Sequence, residues 1–281
     1  MRGLLLASLI WGTTFPLIKL ALDQVSPLSF NAARFLLAAL IILPNLRDFS
    51  REELRAGALL GLLLVGGFTV QTVGLTFTTP SRSGFITGLN VPLVPVVVFL
   101  LHRALPRPAA VLSVVLAVSG MCLLTSPGAT GGGFNLGDLL TLVAALLFAL
   151  HLVLVATFAR AYSLIRLLSV QIVTAAVVSL VLLPLDPAPH WAWTPLVVGV
   201  TLFEAVFATV ICLRLQLLAQ QALTATHAAV IFASEPIVAA VASLLLLGER
   251  LSPIQWAGGA AILVGMVLPE VADGDPTVPK S

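Results

Sequence analysis

The chain has 281 residues, 59% of them hydrophobic and only 9% charged, with a mean hydropathy of +1.11. An ordinary soluble domain carries about 25% charged residues, so a globular enzyme in water and a disordered chain are both excluded, and a bilayer is the natural solvent. A net charge of +2 without any basic run gives no reason for a nucleic-acid partner.

A helix needs about 20 apolar residues to cross the hydrocarbon. Ten such stretches follow in chain order: Gly3–Leu22, Leu28–Pro44, Arg55–Phe77, Ser81–Leu101, Pro108–Ser126, Leu136–Phe158, Ser163–Pro184, Pro195–Leu218, Leu223–Leu247 and Pro253–Pro269. The first follows Arg2 like a signal peptide, but no small-x-small cleavage site appears and the apolar run continues to Leu22, so it is kept as a span. The eighth, which holds Glu204 and Arg214, and the short tenth are the weakest, and a nine-span reading would merge or drop one of them. Ser26-Pro27, Thr79-Pro80-Ser81, Pro106-Arg107-Pro108, Asp186-Pro187 and Ser252-Pro253 punctuate the runs. The expected fold class is therefore all-α integral membrane. Its units are 1–126, a first five-helix repeat; 127–135, a link carrying Gly131-Gly132-Gly133; 136–269, a second five-helix repeat; and 270–281, a disordered tail. Cys122 and Cys212 lie far apart in apolar runs without metal-ligand spacing, so both are expected to be small buried thiols, and no metal or cofactor is implied.

Even span number puts both termini on one side. With the termini in the cytoplasm, Arg2, Arg47, Arg51, Arg55, Arg103, Arg107, Arg160, Arg166 and Lys280 fall inside, whereas Lys19, Arg82 and Arg250 fall outside. Nine against three obeys the positive-inside rule, and Trp191, Trp193 and Trp256 fall near outer interfaces.

The two units match weakly but collinearly. Trp11-Gly12, Ser26 and Arg34 shifted by 137 fall on Phe148-Ala149, Ser163 and Gln171. Pro92 shifted by 144 falls on Pro236, and Pro108 and Gly120-Met121 shifted by 145 fall on Pro253 and Gly265-Met266. A five-span copy must enter the membrane upside down, and inverted repeats are a transporter architecture with the site at the repeat interface. Prolines at equivalent mid-span places, Pro92 and Pro236, read as hinges beside a cavity or simply as ordinary membrane-helix prolines. Small-xxx-small spacings such as Gly57/Gly61, Gly84/Gly88 and Ala261/Gly265 indicate packing only.

A charge in hydrocarbon costs at least about 2.5–3.5 kcal/mol on insertion scales. Lys19 and Arg214 are near span ends and are expected to snorkel; Arg34 lies deeper and either pairs with a carboxylate or lines a vestibule. Glu204 and Glu235 sit near mid-depth with no Lys or Arg one turn away, so each is a candidate proton carrier or cation site, or else a neutral structural hydrogen-bonder. His151, and nearer the inner end His227, complete a His-Glu group across spans six, eight and nine that would relay protons. Thr13, Thr14, Thr69, Gln71, Thr72, Thr87 and Asn90 offer hydrogen bonds, and Trp11, Phe85, Phe148 and Phe207 offer apolar walls, with plain packing as the alternative for each aromatic.

Trp11-Gly12, Arg34, the segment from Pro80-Ser81-Arg82-Ser83-Gly84 to Asn90-Val91-Pro92, and Gly248-Glu249-Arg250-Leu251 followed by Gln255, Gly258 and Gly265 resemble the EamA family of the drug/metabolite transporter superfamily, from about residue 3 to 269. The resemblance implies ten helices in two inverted five-helix repeats, cytoplasmic termini and a central cavity, in a family whose members export amino acids, other metabolites or drugs. It carries over Trp11 as a cavity or packing residue, Arg34, the breaks at Pro92 and Pro236, and Glu249 in the last loop. Two departures stand out. Arg103 and Pro106 replace the Gly-Glu-Arg motif in the first half, and Gln171 stands opposite Arg34.

The expected function is secondary transport of a small metabolite or drug-like molecule across the inner membrane by alternating access, as export, without enzymatic chemistry. The expected substrate site is Trp11, Thr14, Gln71, Asn90, Phe148, His151 and Glu204. The proton-coupling candidates are Glu204, Glu235 and His151, with Glu204 leading, and the hinges are Pro92 and Pro236. The partners are the substrate, the bilayer and protons, in a monomer or weak dimer. The rivals are an intramembrane lipid or isoprenoid enzyme, for which no HExxH or Asp-rich motif appears, and a structural subunit with a closed apolar interface.

Overall fold

The computed structural model of the protein describes residues 2–45, 49–103, 105–126, 132–223 and 231–273. His227, most of the glycine link and the tail after Asp273 lie outside the described residues. Those residues form helices with one isolated bridge, Val25 to Trp191, and no named strand. In chain order the helices are α1 (Arg2–Leu22), α2 (Pro27–Ile42), α3 (Arg51–Leu75), α4 (Pro80–Gly88), α5 (Asn90–His102), α6 (Pro108–Leu124), α7 (Leu136–Ala161), α8 (Leu164–Leu182), α9 (Pro195–Phe203), α10 (Cys212–Ala222), α11 (Glu235–Leu247) and α12 (Pro253–Asp273). Among the described residues, six segments are long and apolar enough to cross a membrane: Gly3–Leu22, Arg51–Leu75, Pro80–Leu101, Leu136–Ala161, Leu164–Leu185 and Pro195–Ala222. Four shorter apolar helices accompany them.

Local chemistry sets the helix starts. Prolines open α2, α4, α6 and α9, where their missing N–H costs nothing. Ser50 with Glu53, and Asn135 with Asp138, close reciprocal capping boxes on α3 and α7. Thr79 and Thr194 cap α4 and α9 through their side-chain oxygens.

Three predicted spans are not continuous α-helices. The fourth breaks at Leu89, between α4 and α5. Pro92 has no N–H for the carbonyl of Gly88, so the ladder is interrupted one turn before the proline. The chain turns likewise at Ala233 and Ser234, ahead of Pro236, and Leu89 shifted by 144 is Ala233. The eighth span is interrupted differently. Between α9 and α10, Glu204–Ile211 is π-helical, and the N–H of Cys212 reaches back five residues to Phe207. Apolar periodicity does not reveal such a segment, because every residue type in it is compatible with an ordinary helix. Pro16 lies inside α1 and leaves that helix unbroken.

The main helix packing crosses between the two halves of the chain: α6 on α12, α3 on α7 and α8, α1 on α11, and α2 on α8. Where α6 crosses α12, a Cβ on Gly120 would sit 2.5 Å from the carbonyl oxygen of Gly258 and 2.9 Å from Ile262. A Cβ on Gly265 would sit 2.8 Å from the carbonyl oxygen of Ser113 and 3.3 Å from Ala117. The shift of 145 turns the first pair of contacts into the second, since 113 becomes 258, 117 becomes 262 and 120 becomes 265. A contact that maps onto itself when partners are exchanged is the signature of a two-fold interface. Ser113 strengthens it by donating to the Gly265 carbonyl.

Large apolar side chains cover the outside, among them Leu40, Leu100, Val181 and Leu245. Water would not tolerate such a surface, and hydrocarbon accommodates it. Cys122 is exposed on this surface, so the expectation of two buried thiols is corrected: only Cys212 is buried. The helix register decides this, since α6 buries Ser113, Ala117, Gly120 and Leu124 instead.

Candidate functional site

A cavity lies between the two halves and has about 550 Å³ of empty space, including its mouth. From the first half, α1 contributes Trp11, Thr14 and Phe15, α3 contributes Leu64, Phe68 and Gln71, and the fourth span contributes Thr87 and Asn90 at its break. From the second half, α7 contributes Phe148, His151 and Leu152, α10 contributes Leu213 and Gln216, and the ninth span contributes Phe232 and Glu235 at its break. Each half thus supplies its first, third and fourth spans, and both helix breaks face the same space.

The wall is fixed by specific bonds. Trp11 donates its indole N–H to the carbonyl of Ala208 at 2.8 Å, inside the π-helical segment. Its ring lies 5.4 Å from that of Phe232. Next to it, Gly12 permits α11 to approach, since a Cβ there would sit 2.8 Å from the Glu235 carbonyl oxygen. The Trp-Gly pair therefore combines a cavity wall with a close helix contact. Gln71 donates to Thr87 at 2.9 Å, and His151 Nε2 donates to Gln171 Oε1 at 3.1 Å. Phe148 packs edge-on against Phe68 at 5.1 Å. The Asn90 Oδ1 has no hydrogen-bond partner among the described residues. No described residue gives the Glu235 carboxylate a hydrogen bond or ion pair, and the residue is buried.

Glu204 does not line this cavity. Its carboxylate faces the Arg34 guanidinium at 3.2 Å, with both side chains essentially inaccessible. Arg34 Nε donates to Thr209 Oγ1 at 2.8 Å, and that hydroxyl donates to the Glu204 carbonyl at 2.8 Å, five residues back. The guanidinium carbon stacks 4.1 Å from the Phe68 ring centre, so Phe68 separates the ion pair from the cavity. Sequence distance hid this pairing, since no basic residue lies one turn from Glu204 and Arg34 is 170 positions away. Phe85 and Phe207 also leave the expected wall: Phe85 is fully buried in the core and Phe207 is exposed on the outer surface. Phe15, Phe68, Gln216 and Phe232 also line the cavity, beyond the residues expected from the sequence. Gln216, a polar residue in an apolar span, carried a readable signal; the others are ordinary apolar residues.

A second polar cluster joins loops at the end of the bundle where α3 finishes and α4 begins. Arg82 pairs with Asp138 and donates to the carbonyls of Gly132 and Gly133 at 2.9 and 3.1 Å. Thr78 donates to Asp138 at 2.7 Å, and Ser81 donates to Glu249 through its N–H and hydroxyl at 3.1 and 2.9 Å. Lys19 does not simply snorkel, because its ammonium donates to the carbonyls of Leu75 and Thr78 at 2.6 and 3.1 Å. Among the described residues, no three His, Cys, Asp or Glu side chains gather where they would hold a metal ion.

The family model described as the EamA-like transporter family matches twice, over residues 3–126 and 135–269. An uncharacterized transporter of Archaeoglobus fulgidus is 33% identical over 271 residues, covering 95% of this chain and 84% of that protein. The uncharacterized transporter YwfM of Bacillus subtilis is 27% identical, covering 94% and 91%. The uncharacterized inner membrane transporter YedA of Escherichia coli is 26% identical, covering 92% and 87%. A solved crystal structure aligns over 96% of both chains with a TM-score of 0.68 and 16% identity, a likeness of fold alone.

Proposed function

The chain belongs to the EamA-like transporter family, and on that premise we propose that it is a ten-span secondary transporter that moves a small molecule through the central cavity by alternating access. The observation that carries this is the wall itself, built from the first, third and fourth spans of each half. Two similar units in opposite orientations have two similar packings, one open to each side of the membrane. The broken spans at Leu89 and at Ala233-Ser234 supply the bends, with Pro92 and Pro236 as the residues that hold them. Trp11, Thr14, Gln71, Asn90, Phe148 and His151 contact substrate. Among the coupling candidates the lead passes from Glu204 to Glu235, because Glu235 faces the cavity and Glu204 faces Arg34; His151 remains a candidate beside them. The termini are cytoplasmic on the Lys and Arg balance, which places the Arg82–Asp138 cluster at the outer face, where it holds that side shut. Transport runs outward, as export.

The test is a thermal-shift screen of the purified protein against amino acids, nucleobases and organic amines, since a ligand of the native state raises its stability. A stabilising compound is then loaded into proteoliposomes at high concentration, and trace labelled compound is added outside. Accumulation of label by counterflow supports transport. Stabilisation without exchange contradicts it.

A further inference from the structure

We infer that the cavity takes an organic cation with an aromatic or other apolar body and no carboxylate, with Glu235 as its counter-ion. This rests on the cavity's being the transport path. Among the described residues, Glu235 is the only acidic residue of the wall, and none of those lining it is Lys or Arg. The Arg34 guanidinium lies beyond Phe68 and faces Glu204. The His151 Nε2 proton is committed to Gln171, and the Gln71 amide to Thr87. An amino acid brings a carboxylate that would find only neutral groups here, next to an acidic side chain. An amine without that carboxylate meets no such conflict.

The apolar part of the wall points the same way. Trp11, Phe15, Phe68, Phe148 and Phe232 surround the space. Aromatic faces attract cations through their quadrupoles, most strongly when both are desolvated. The Trp11 ring is held in place by its bond to the Ala208 carbonyl, so its face is presented without rotamer loss on binding. A carboxyl group that is ionised in an apolar cavity is stabilised by a counter-charge, and without one it takes up a proton. No described residue supplies that counter-charge to Glu235, and a cationic ligand would.

The test compares three small probes that share a benzyl body: benzyltrimethylammonium (a permanent cation), L-phenylalanine (a zwitterion) and benzyl alcohol (neutral). Each is titrated into the full-length protein in detergent by calorimetry. Benzyltrimethylammonium is expected to bind at least about tenfold more tightly than either of the others, on the scale of a desolvated ion pair with added cation–π contact. Glu235→Gln is expected to remove that preference while leaving benzyl alcohol within about twofold. Preference for L-phenylalanine or benzyl alcohol, or no binding by any probe, overturns the proposal. The probe series on the unmodified protein decides the matter even if the variant fails to fold. Counterflow separates the two readings. If benzyltrimethylammonium binds but does not exchange across proteoliposomes, the ligand class stands and transport fails. If L-phenylalanine exchanges and benzyltrimethylammonium does not bind, transport stands and the ligand class fails.

Discussion

Arg34–Glu204 and Glu235 are two buried charged sites beside the same wall, and they differ in what completes them. The Arg34–Glu204 pair is closed on itself behind Phe68, with Thr209 linking the guanidinium to the π-helical backbone. The Glu235 carboxylate opens into the cavity and receives no partner from the described residues. In sequence the two glutamates look alike: each is a lone acid near the middle of an apolar span. Depth therefore identifies an expensive residue, and only its partner shows whether the expense serves architecture or a ligand. The closed pair joins the second span to the eighth, one from each half, and the eighth is also where Trp11 is anchored. The π-helical segment is thus held from two sides by residues of the first half.

Breaking the closed pair should produce the largest effect. Arg34→Ala leaves Glu204 buried without its partner, which costs about 3–5 kcal/mol; a large drop in the melting temperature of detergent-solubilised protein checks it. Arg34→Met combined with Glu204→Leu should recover most of that loss, because removing both charges leaves none uncompensated. An equally unstable double variant would show that the pair's role lies elsewhere. Gly120→Val is next. Its Cβ would meet the Gly258 carbonyl oxygen at 2.5 Å, and overpacking of this kind costs about 1–3 kcal/mol; unchanged thermal stability would contradict the tight crossing. Trp11→Phe keeps the ring but loses the bond to Ala208, worth about 1 kcal/mol, and should weaken ligand binding more than it lowers stability. The smallest stability change is expected for Glu235→Gln, within about 1 kcal/mol, since a neutral amide replaces an acid that no described residue pairs with. The same variant should abolish counterflow, so a full drop in stability with transport intact would reverse the comparison.

The all-helical class and the family resemblance are legible in the sequence, because low charge, apolar length and a few punctuating prolines carry them. The breaks near Pro92 and Pro236 are legible too, since a missing N–H acts within one turn of the chain. What is not legible is anything that depends on contact between distant segments. Arg34 meets Glu204, His151 meets Gln171, and Arg82 meets Asp138, and none of these pairs is close in sequence. The π-helical stretch from Glu204 to Ile211 is invisible for another reason, because its composition is that of any membrane helix. Phe207 shows how this matters. Sequence spacing gives no warning that it points to the exterior while Trp11 reaches the carbonyl of its neighbour Ala208.

Under the proposed alternating access, this cavity communicates with each side of the membrane in turn. The most direct test is a cysteine at Asn90, on the broken fourth span, in a Cys122→Ser background, with Cys212 buried and inert. A membrane-impermeant thiosulfonate is applied separately to right-side-out and to inverted vesicles. Labelling is expected from both sides, slowed in each case by a bound ligand. Labelling from one side alone under every condition, or ligand-independent labelling, would contradict it.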